Sequence, residues 1–274
     1  WGALLLAPLA GGFVVRIFII QHDCGHHSFL RSRQGNEWLG RICSLVTITP
    51  FANWRRQHAQ HHAAWNNLDV RPSGIDMYSS CLTLAEYENL SRFQRLRYRM
   101  LYHPAVALLL LPPVIFLFLY RIPFDIPPSW RAERLSVYLT NLALGVLILA
   151  LGLTLGFRAV LFVQLPVMLI AATVGVWLFS VQHRFENTVW ARKADWRALT
   201  AALQGSSYLR LPKILQWFTG NIGYHHIHHL SSKVPSYRLQ ECHQSLPELH
   251  AVPGIGMRQA FRGARLALWD EQNS

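Results

Sequence analysis

Charged residues are scarce in this sequence. Asp, Glu, Lys and Arg make up 15% of its 274 residues, whereas they make up about a quarter of a typical soluble domain. Hydrophobic residues make up 51%, and the mean hydropathy is +0.18. This balance argues against an ordinary soluble domain and predicts an integral membrane protein.

Cysteine is scarce as well, with four residues that form no CxxC pair and no framework spacing. The pattern argues against a disulfide scaffold, and we expect reduced thiols that face the cytosol or the lipid. The sequence also lacks an internal repeat and any low-complexity tract, so we interpret residues 1–274 as a single domain. The four cysteines are Cys24, Cys43, Cys81 and Cys242.

Acidic residues are the scarcer of the charged residues, which leaves a net charge of +12. Of the 26 Lys and Arg residues, 13 lie between Gln21 and Arg134 and 11 lie after His183; the remaining two are Arg16 and Arg158. Lys and Arg accumulate in the cytoplasmic loops of membrane proteins. We therefore expect both long polar segments to be cytoplasmic, and we expect no nucleic acid partner.

Three apolar stretches reach the length of about 20 residues that a helix needs to cross a bilayer. They are residues 1–20, 135–157 and 159–182, and the last two are expected to form a hairpin with a tight turn at Arg158. Because an apolar run is already under way at Trp1, we expect the chain to begin inside a longer protein, with a preceding span missing. Residues 184–274 are expected to form a cytosolic helical cap.

Histidine is abundant, with 14 residues, and most of these lie in three short segments. The first is HDCGH, and the other two, HAQHH and HHIHH, share the pattern HxxHH. Residues three and four apart lie on one face of a helix, where they can bind one metal. Two such matches would arise by chance in roughly one sequence in a thousand. The candidate ligands are His22, His26, His58, His61, His62, His225, His228 and His229.

A ninth candidate ligand is His183, which follows the last span. If all nine histidines meet on one side of the membrane, residues 39–51 and 103–120 must be re-entrant or interfacial, and Pro112 and Pro113 break the second of these in its middle. Nine imidazoles are too many for one ion and fit two. Imidazole suits iron, copper, zinc and nickel, whereas a bis-histidine haem would need histidines on facing transmembrane helices.

These segments resemble the membrane fatty acid desaturase family, in particular bacterial acyl-lipid desaturases of the bacillar delta-5 and cyanobacterial delta-12 types. The similar stretches are HDCGHHSF (22–29), WRRQHAQHH (54–62), NLDVRPSGID (67–76), VWLFSVQHRFE (176–186) and GNIGYHHIHHLSSKVPSYRL (220–239). The resemblance implies an all-α membrane fold and a diiron centre held by the nine histidines. It also implies that the centre itself carries the chemistry, with no separate acid or base.

The reaction implied by the resemblance is the O2-dependent insertion of a cis double bond into a fatty acyl chain. Membrane lipid would be the substrate and a ferredoxin-like carrier the electron donor, at the cytoplasmic side of a bacterial inner membrane. A hydroxylase or ketolase on the same scaffold, and a metal transporter or sensor, are the alternatives. Six residues near the histidines are candidates to orient them, with helix caps or salt bridges to Arg55, Arg71 or Arg184 as the competing interpretation: Asp23, Asp69, Asp76, Glu186, Asn221 and His226.

Overall fold

The computed structural model describes residues 1–71, 78, 80–252 and 254–273. Asp76, one of the candidate orienting residues, lies outside the described residues. The described part is helical, with only four two-residue strands. The helices are α1 (Gly2–Gly25), α2 (Arg33–Val46), α3 (Phe51–Ala64), α4 (Leu84–Glu88), α5 (Arg92–Leu101), α6 (Leu111–Leu117), α7 (Arg131–Leu151), α8 (Phe157–His183), α9 (Ala198–Gln204), α10 (Lys213–Phe218), α11 (His225–Leu230), α12 (Leu239–Ser245) and α13 (Met257–Gly263).

The strands form two parallel pairs that hold the carboxyl-terminal residues against earlier segments. β1 (Leu82–Thr83) pairs with β4 (Leu268–Trp269), and β2 (Tyr208–Leu209) pairs with β3 (Gly254–Ile255). π-helical turns at Val106–Leu110 and Gly152–Gly156 and 3-10 turns at Leu119–Arg121, Ser236–Arg238 and Pro247–Ala251 complete the described secondary structure.

Two helical stretches of the described chain are long and apolar enough to cross a membrane. They are Gly2–Gly25 and Arg131–His183, the latter of 53 residues. Their surfaces carry exposed apolar side chains such as Leu5, Leu142 and Phe162. An apolar exposed surface on a long helix is typical of contact with lipid.

Arg131–His183 folds back on itself. A straight helix of this length would extend roughly 80 Å, but both of its ends lie at α3: the Ser136 hydroxyl accepts a hydrogen bond from the Ala52 amide at 3.1 Å, and His183 contacts His61. Gly156 provides the turn with φ +89°, a conformation that favours glycine. The expected hairpin is therefore present, but its turn lies at Gly156 and not at Arg158, because only the glycine tolerates this backbone.

Helices α1 and α8 pack closely where Gly11 faces Ile170. A Cβ on Gly11 would lie 2.9 Å from Ile170 Cγ2, closer than side-chain carbons approach each other. The missing side chain thus permits the approach that aligns the ends of the two helices. Those ends carry His22 and His183.

The segment with the two prolines remains helical through both. Pro112 and Pro113 are among the first residues of α6, where a missing amide donor costs least, and the π-helical turn before them joins it to the preceding chain. The bend of 55° lies earlier, between α5 and Val106. The expected break in the middle of residues 103–120 is therefore wrong, because the helical backbone continues from the π-helical turn into α6 through both prolines.

Candidate metal centre

Four helices deliver the nine candidate histidines to one place. α1 runs past the expected end of its span to Gly25, so His22 lies within the helix and His26 follows its last residue. α3 carries three histidines, α8 ends at His183, and the short α11 carries the remaining three. In α3 and in α11 the three candidate histidines lie on one side of the helix, because i, i+3 and i+4 positions share one helical face.

The histidines form two adjacent groups, in each of which the nitrogens that could bind a metal all lie within 4.8 Å of one another. We call them the five-histidine group and the four-histidine group. The second and third sequence segments, on α3 and α11, each contribute histidines to both groups. The five-histidine group is His22, His26, His58, His62 and His228, and the four-histidine group is His61, His183, His225 and His229.

The distances between ring nitrogens fit shared metal ions. In the four-histidine group, the Nε2 atom of His225 lies 3.1 Å from that of His183 and 3.0 Å from that of His229. In the five-histidine group, His62 Nε2 lies 3.1 Å from His58 Nε2 and 2.9 Å from His228 Nε2. Nitrogens bound about 2.0–2.1 Å from one ion lie roughly 2.9–3.4 Å apart at octahedral or tetrahedral angles. Each group therefore has the spacing of a ligand set.

Burial lowers the pKa of several of these imidazoles and keeps them neutral. All members of the four-histidine group are buried, and burial lowers the pKa of His225 and His229 well below the ordinary value. In the five-histidine group, burial likewise lowers the pKa of His58 and His228, and lowers that of His26 to about 2. A neutral imidazole offers a ring lone pair, which is what a metal requires.

Asp23 is placed to orient His22. Its Oδ1 atom lies 3.1 Å from His22 Nδ1, and its Oδ2 atom accepts a hydrogen bond from the Ser236 amide at 2.7 Å. Both side chains are buried. A carboxylate at Nδ1 favours the tautomer that leaves Nε2 free for a metal and fixes the ring plane.

An apolar cavity of about 160 Å³ adjoins both groups. It is lined by α1, α3, α6 and α8 and reaches His22 and His58 of one group and His61 and His225 of the other. The wall of the cavity on α8 includes three small residues, Ala171, Ala172 and Gly175. The cavity is thus a slot between helices that ends at the histidines.

The sequence is similar to proteins of known family along its length. The family model described as "Fatty acid desaturase" matches residues 1–261. The chain is 43% identical over 270 residues to a fatty acid desaturase of Bacillus subtilis, covering 98% of this chain and 75% of that protein. The chain belongs to the fatty acid desaturase family. The resemblance noted from the histidine segments is confirmed, and so are the all-α fold and the assignment to oxidoreductases.

Two cyanobacterial desaturases are more distant relatives. An sn-1 acyl-lipid omega-3 desaturase (ferredoxin) of Synechocystis sp. is 30% identical over 84% of this chain, and an sn-1 oleoyl-lipid 12-desaturase of the same organism is 28% identical over 84%. This desaturase chain spans 63% and 64% of the length of those two proteins.

Of the other residues expected to orient histidines, two carboxylates lie in different surroundings. Asp69 is exposed and pairs with Arg192 at 2.9 Å and with the Lys193 amide at 2.8 Å, so the salt bridge weighed as its alternative is present, with an arginine that the sequence did not indicate. Glu186 is exposed and lines a second cavity, of about 170 Å³, which His183 also lines.

Asn221 and His226 also lie outside the two groups. Asn221 has φ +61° and is not the cap of α11, whose N-cap is Tyr224. His226 is fully buried and packs against Tyr208 and His243, with ring centroids 5.7 and 5.6 Å away. Its neighbour on the sequence, His225, points to the metal groups, because adjacent residues of a helix face about 100° apart.

Two aromatic residues at the site were not anticipated from the sequence. Trp54 stacks on His58 with ring centroids 4.8 Å apart, and Phe179 contacts His61 at 5.2 Å; both line the cavity. Each lies four residues before a candidate ligand, Trp54 before His58 and Phe179 before His183. An aromatic residue one helical turn before a histidine was the signal that would have found them.

Proposed function

We propose that this protein is an acyl-lipid desaturase that uses O2 to introduce a cis double bond into a fatty acyl chain. The observation that carries the proposal is the apolar cavity that touches both histidine groups. An alkyl chain is the ligand that such a lining accepts, because it buries methylenes and offers few polar groups.

Each histidine group would hold one iron, with the nine histidines as the protein ligands. When bound, the two irons supply the O2 activation and hydrogen abstraction that an unactivated methylene pair requires. The overall reaction removes one hydrogen from each of two neighbouring methylenes and, with two electrons and two further protons, reduces O2 to two waters.

The residues of the chain would orient the metal ligands, position the acyl chain and exclude water from the cavity. Asp23 fixes the plane of the His22 ring, and the buried Ser236 amide in turn fixes Asp23. Trp54 and Phe179 close the cavity beside the histidines, so the acyl chain meets the centre between two aromatic walls. Holding one methylene pair at the centre replaces a search through many chain conformations.

A ferredoxin-like protein would supply the electrons, since one relative is named as ferredoxin-dependent. The distribution of Lys and Arg supports a position of the histidine groups at the cytoplasmic face, and the membrane would be a bacterial inner membrane. In this arrangement α1 and the α7–α8 hairpin cross the bilayer, while residues 39–51 and 103–120 remain at or within one face of it.

Expression in a bacterial host that lacks desaturases tests the proposal. Gas chromatography and mass spectrometry of the host's lipids should reveal acyl chains with one new cis double bond at a fixed position. The variant His61→Ala, expressed to the same level in the membrane, should produce none. Hydroxylated chains without double bonds would contradict the proposal and favour the hydroxylase alternative.

A further inference from the structure

Trp65 contacts the metal centre from the side that the cavity does not occupy. It is 3% exposed, and its ring centroid lies 4.3 Å from that of His229 and 6.1 Å from that of His62. It thus touches one member of each histidine group. The aromatic residues at the cavity, Trp54 and Phe179, each contact histidines of a single group.

Trp196 extends this contact to the protein surface. Its ring lies 5.6 Å from the Trp65 ring, and its indole N–H donates a hydrogen bond to the Trp65 carbonyl at 2.9 Å. Trp196 is partly exposed. A continuous chain of aromatic contacts therefore leads from solvent through two tryptophans to His229.

The surface segment that carries Trp196 is fixed to the chain that follows α3. The Leu68 amide donates to the Ala191 carbonyl at 2.9 Å, and the Ala191 amide donates to the Asn66 carbonyl at 3.1 Å. The Asn66 side chain also donates to the Val189 carbonyl at 2.8 Å. These bonds hold the two tryptophans at a constant separation, which a path for electrons requires because electron tunnelling slows steeply with distance.

Two exposed cations flank Trp196. Lys193 and Arg197 form no ion pair with an acidic side chain among the residues that the structure describes, and Asp195 is the one acidic residue between them. The nearby Arg192 pairs with both Asp69 and Glu271, so it is not available to a partner, and the charges of these three residues sum to −1. In the Trp196 surface, defined as Lys193, Asp195, Trp196 and Arg197, the charges sum to +1, and its two cations remain available to an acidic partner that the net charge of +12 of the whole protein attracts.

We propose that the Trp196 surface docks a small electron-carrier protein with an acidic face, and that Trp196 and Trp65 form the contact path from this carrier to the metal centre at His229. The inference rests on the proposed function, since it names where the electrons for that reaction enter. Opposite charges steer the encounter, and Trp196 offers the carrier a continuous path of two aromatic rings to a candidate metal ligand.

Docking is tested with the iron-loaded protein in lipid nanodiscs and an acidic ferredoxin as the probe. The variant Lys193→Glu with Arg197→Glu should weaken binding by about tenfold at low salt and reduce its salt dependence. The matched control is Arg97→Glu with Arg99→Glu on α5, which makes the same change of charge at another exposed site and should leave binding unchanged. Equal weakening by both variants would overturn a specific surface.

The path is tested by anaerobic reduction of the metal centre followed by its absorbance. Trp196→Leu should slow reduction by ferredoxin severalfold, yet leave reduction by a small viologen mediator unchanged, because the mediator needs no docking surface. Trp38→Leu, which removes an exposed tryptophan from α2, should change neither rate. Unchanged reduction of the Trp196→Leu variant by ferredoxin would overturn the path.

Failure of this inference is distinguishable from failure of the proposed function. Binding and reduction are measured without turnover. If the wild-type protein forms no double bond even with the mediator and O2, the proposed desaturase function is contradicted. Suppose instead that the wild-type protein forms the double bond with the mediator and O2. If the Trp196 and Lys193/Arg197 variants then behave like wild type with ferredoxin, only the docking site is wrong.

Discussion

Two carboxylates near the histidine segments show how surroundings decide a residue's role. Asp23 is buried and contacts His22 Nδ1, whereas Asp69 is exposed and pairs with Arg192. In sequence both stand close to histidine-rich segments and were equivalent candidates. The difference arises from tertiary contacts, since the Ser236 amide that fixes Asp23 lies 213 residues away.

The substitution Asp23→Asn should lower iron affinity by about 10–100-fold, because an amide nitrogen at His22 Nδ1 favours the wrong tautomer of the ring. Asp69→Asn is the matched control and should leave the iron content unchanged, since an exposed ion pair stabilises little. Metal analysis after dialysis against a graded chelator measures both. Equal retention of iron by the two variants would show that Asp23 does not support a ligand.

His26 and His27 form a second matched pair. His26 belongs to the five-histidine group, whereas His27 has φ +54° and lies 3.6 Å from Glu37. We expect His26→Asn to lose iron and His27→Asn to keep it; asparagine tolerates the positive φ at position 27. Iron per chain, measured on protein of matched thermal stability, checks this. Loss of iron from the His27 variant alone would contradict the assignment.

The nine histidines predicted from the sequence as ligands lie together in the structure, but the sequence did not predict their division into two groups. Helical spacing predicted that His58, His61 and His62 share a face, and the structure confirms that they lie together. It assigns His61 to one group and its neighbours to the other, because α3 passes between the two groups. Such a division depends on where α8 and α11 dock, which no local pattern specifies.

At the scale of elements, α8 shapes the cavity through small residues. Gly175 lines the cavity, and a Cβ at this position would meet no atom within 4 Å. The absent side chain therefore leaves space that an acyl chain can occupy. Gly145 on α7 has equally free surroundings but is exposed and does not line the cavity.

We predict that Gly175→Leu abolishes or strongly reduces double-bond formation while both irons remain bound, because the new side chain fills the slot beside the centre. Gly145→Leu adds the same side chain on the outer surface and should retain activity. Lipid analysis of cells expressing each variant, together with iron per chain, separates the two. Normal product from the Gly175 variant would show that the acyl chain binds elsewhere.

The length of the apolar stretches predicted the long apolar helices, but it did not predict the residues at which these helices end. α1 continues through His22 to Gly25, since nothing in HDCG stops a helix, and the hairpin turns at Gly156, where φ is positive. Pro112 and Pro113 were expected to break a helix, but they begin α6. Proline is favoured in the first turn of a helix and disrupts a helix interior, so its effect depends on where the helical element begins, which the sequence alone did not show here.

At the scale of the whole molecule, each loop has a side of the membrane in the proposed topology. Residue 158 follows the turn between α7 and α8, while residue 193 lies on the surface near the histidine groups. The test uses a background of Cys242→Ser, which removes the one cysteine that is not buried. In this background the variant Arg158→Cys should react with an impermeant maleimide in intact spheroplasts. The variant Lys193→Cys should react only after the membrane is opened. Labelling of Lys193→Cys but not of Arg158→Cys in intact spheroplasts would contradict the topology.

Because the histidines form two groups, the protein should bind two iron ions per chain. Mössbauer spectroscopy and metal analysis of the protein purified in detergent from iron-57 medium should give two non-haem irons per chain and no haem absorbance. The double variant His62→Ala with His229→Ala, which removes one member of each group, should bind neither iron with full occupancy. A single iron, zinc in its place, or a haem spectrum in the wild-type protein would contradict the account.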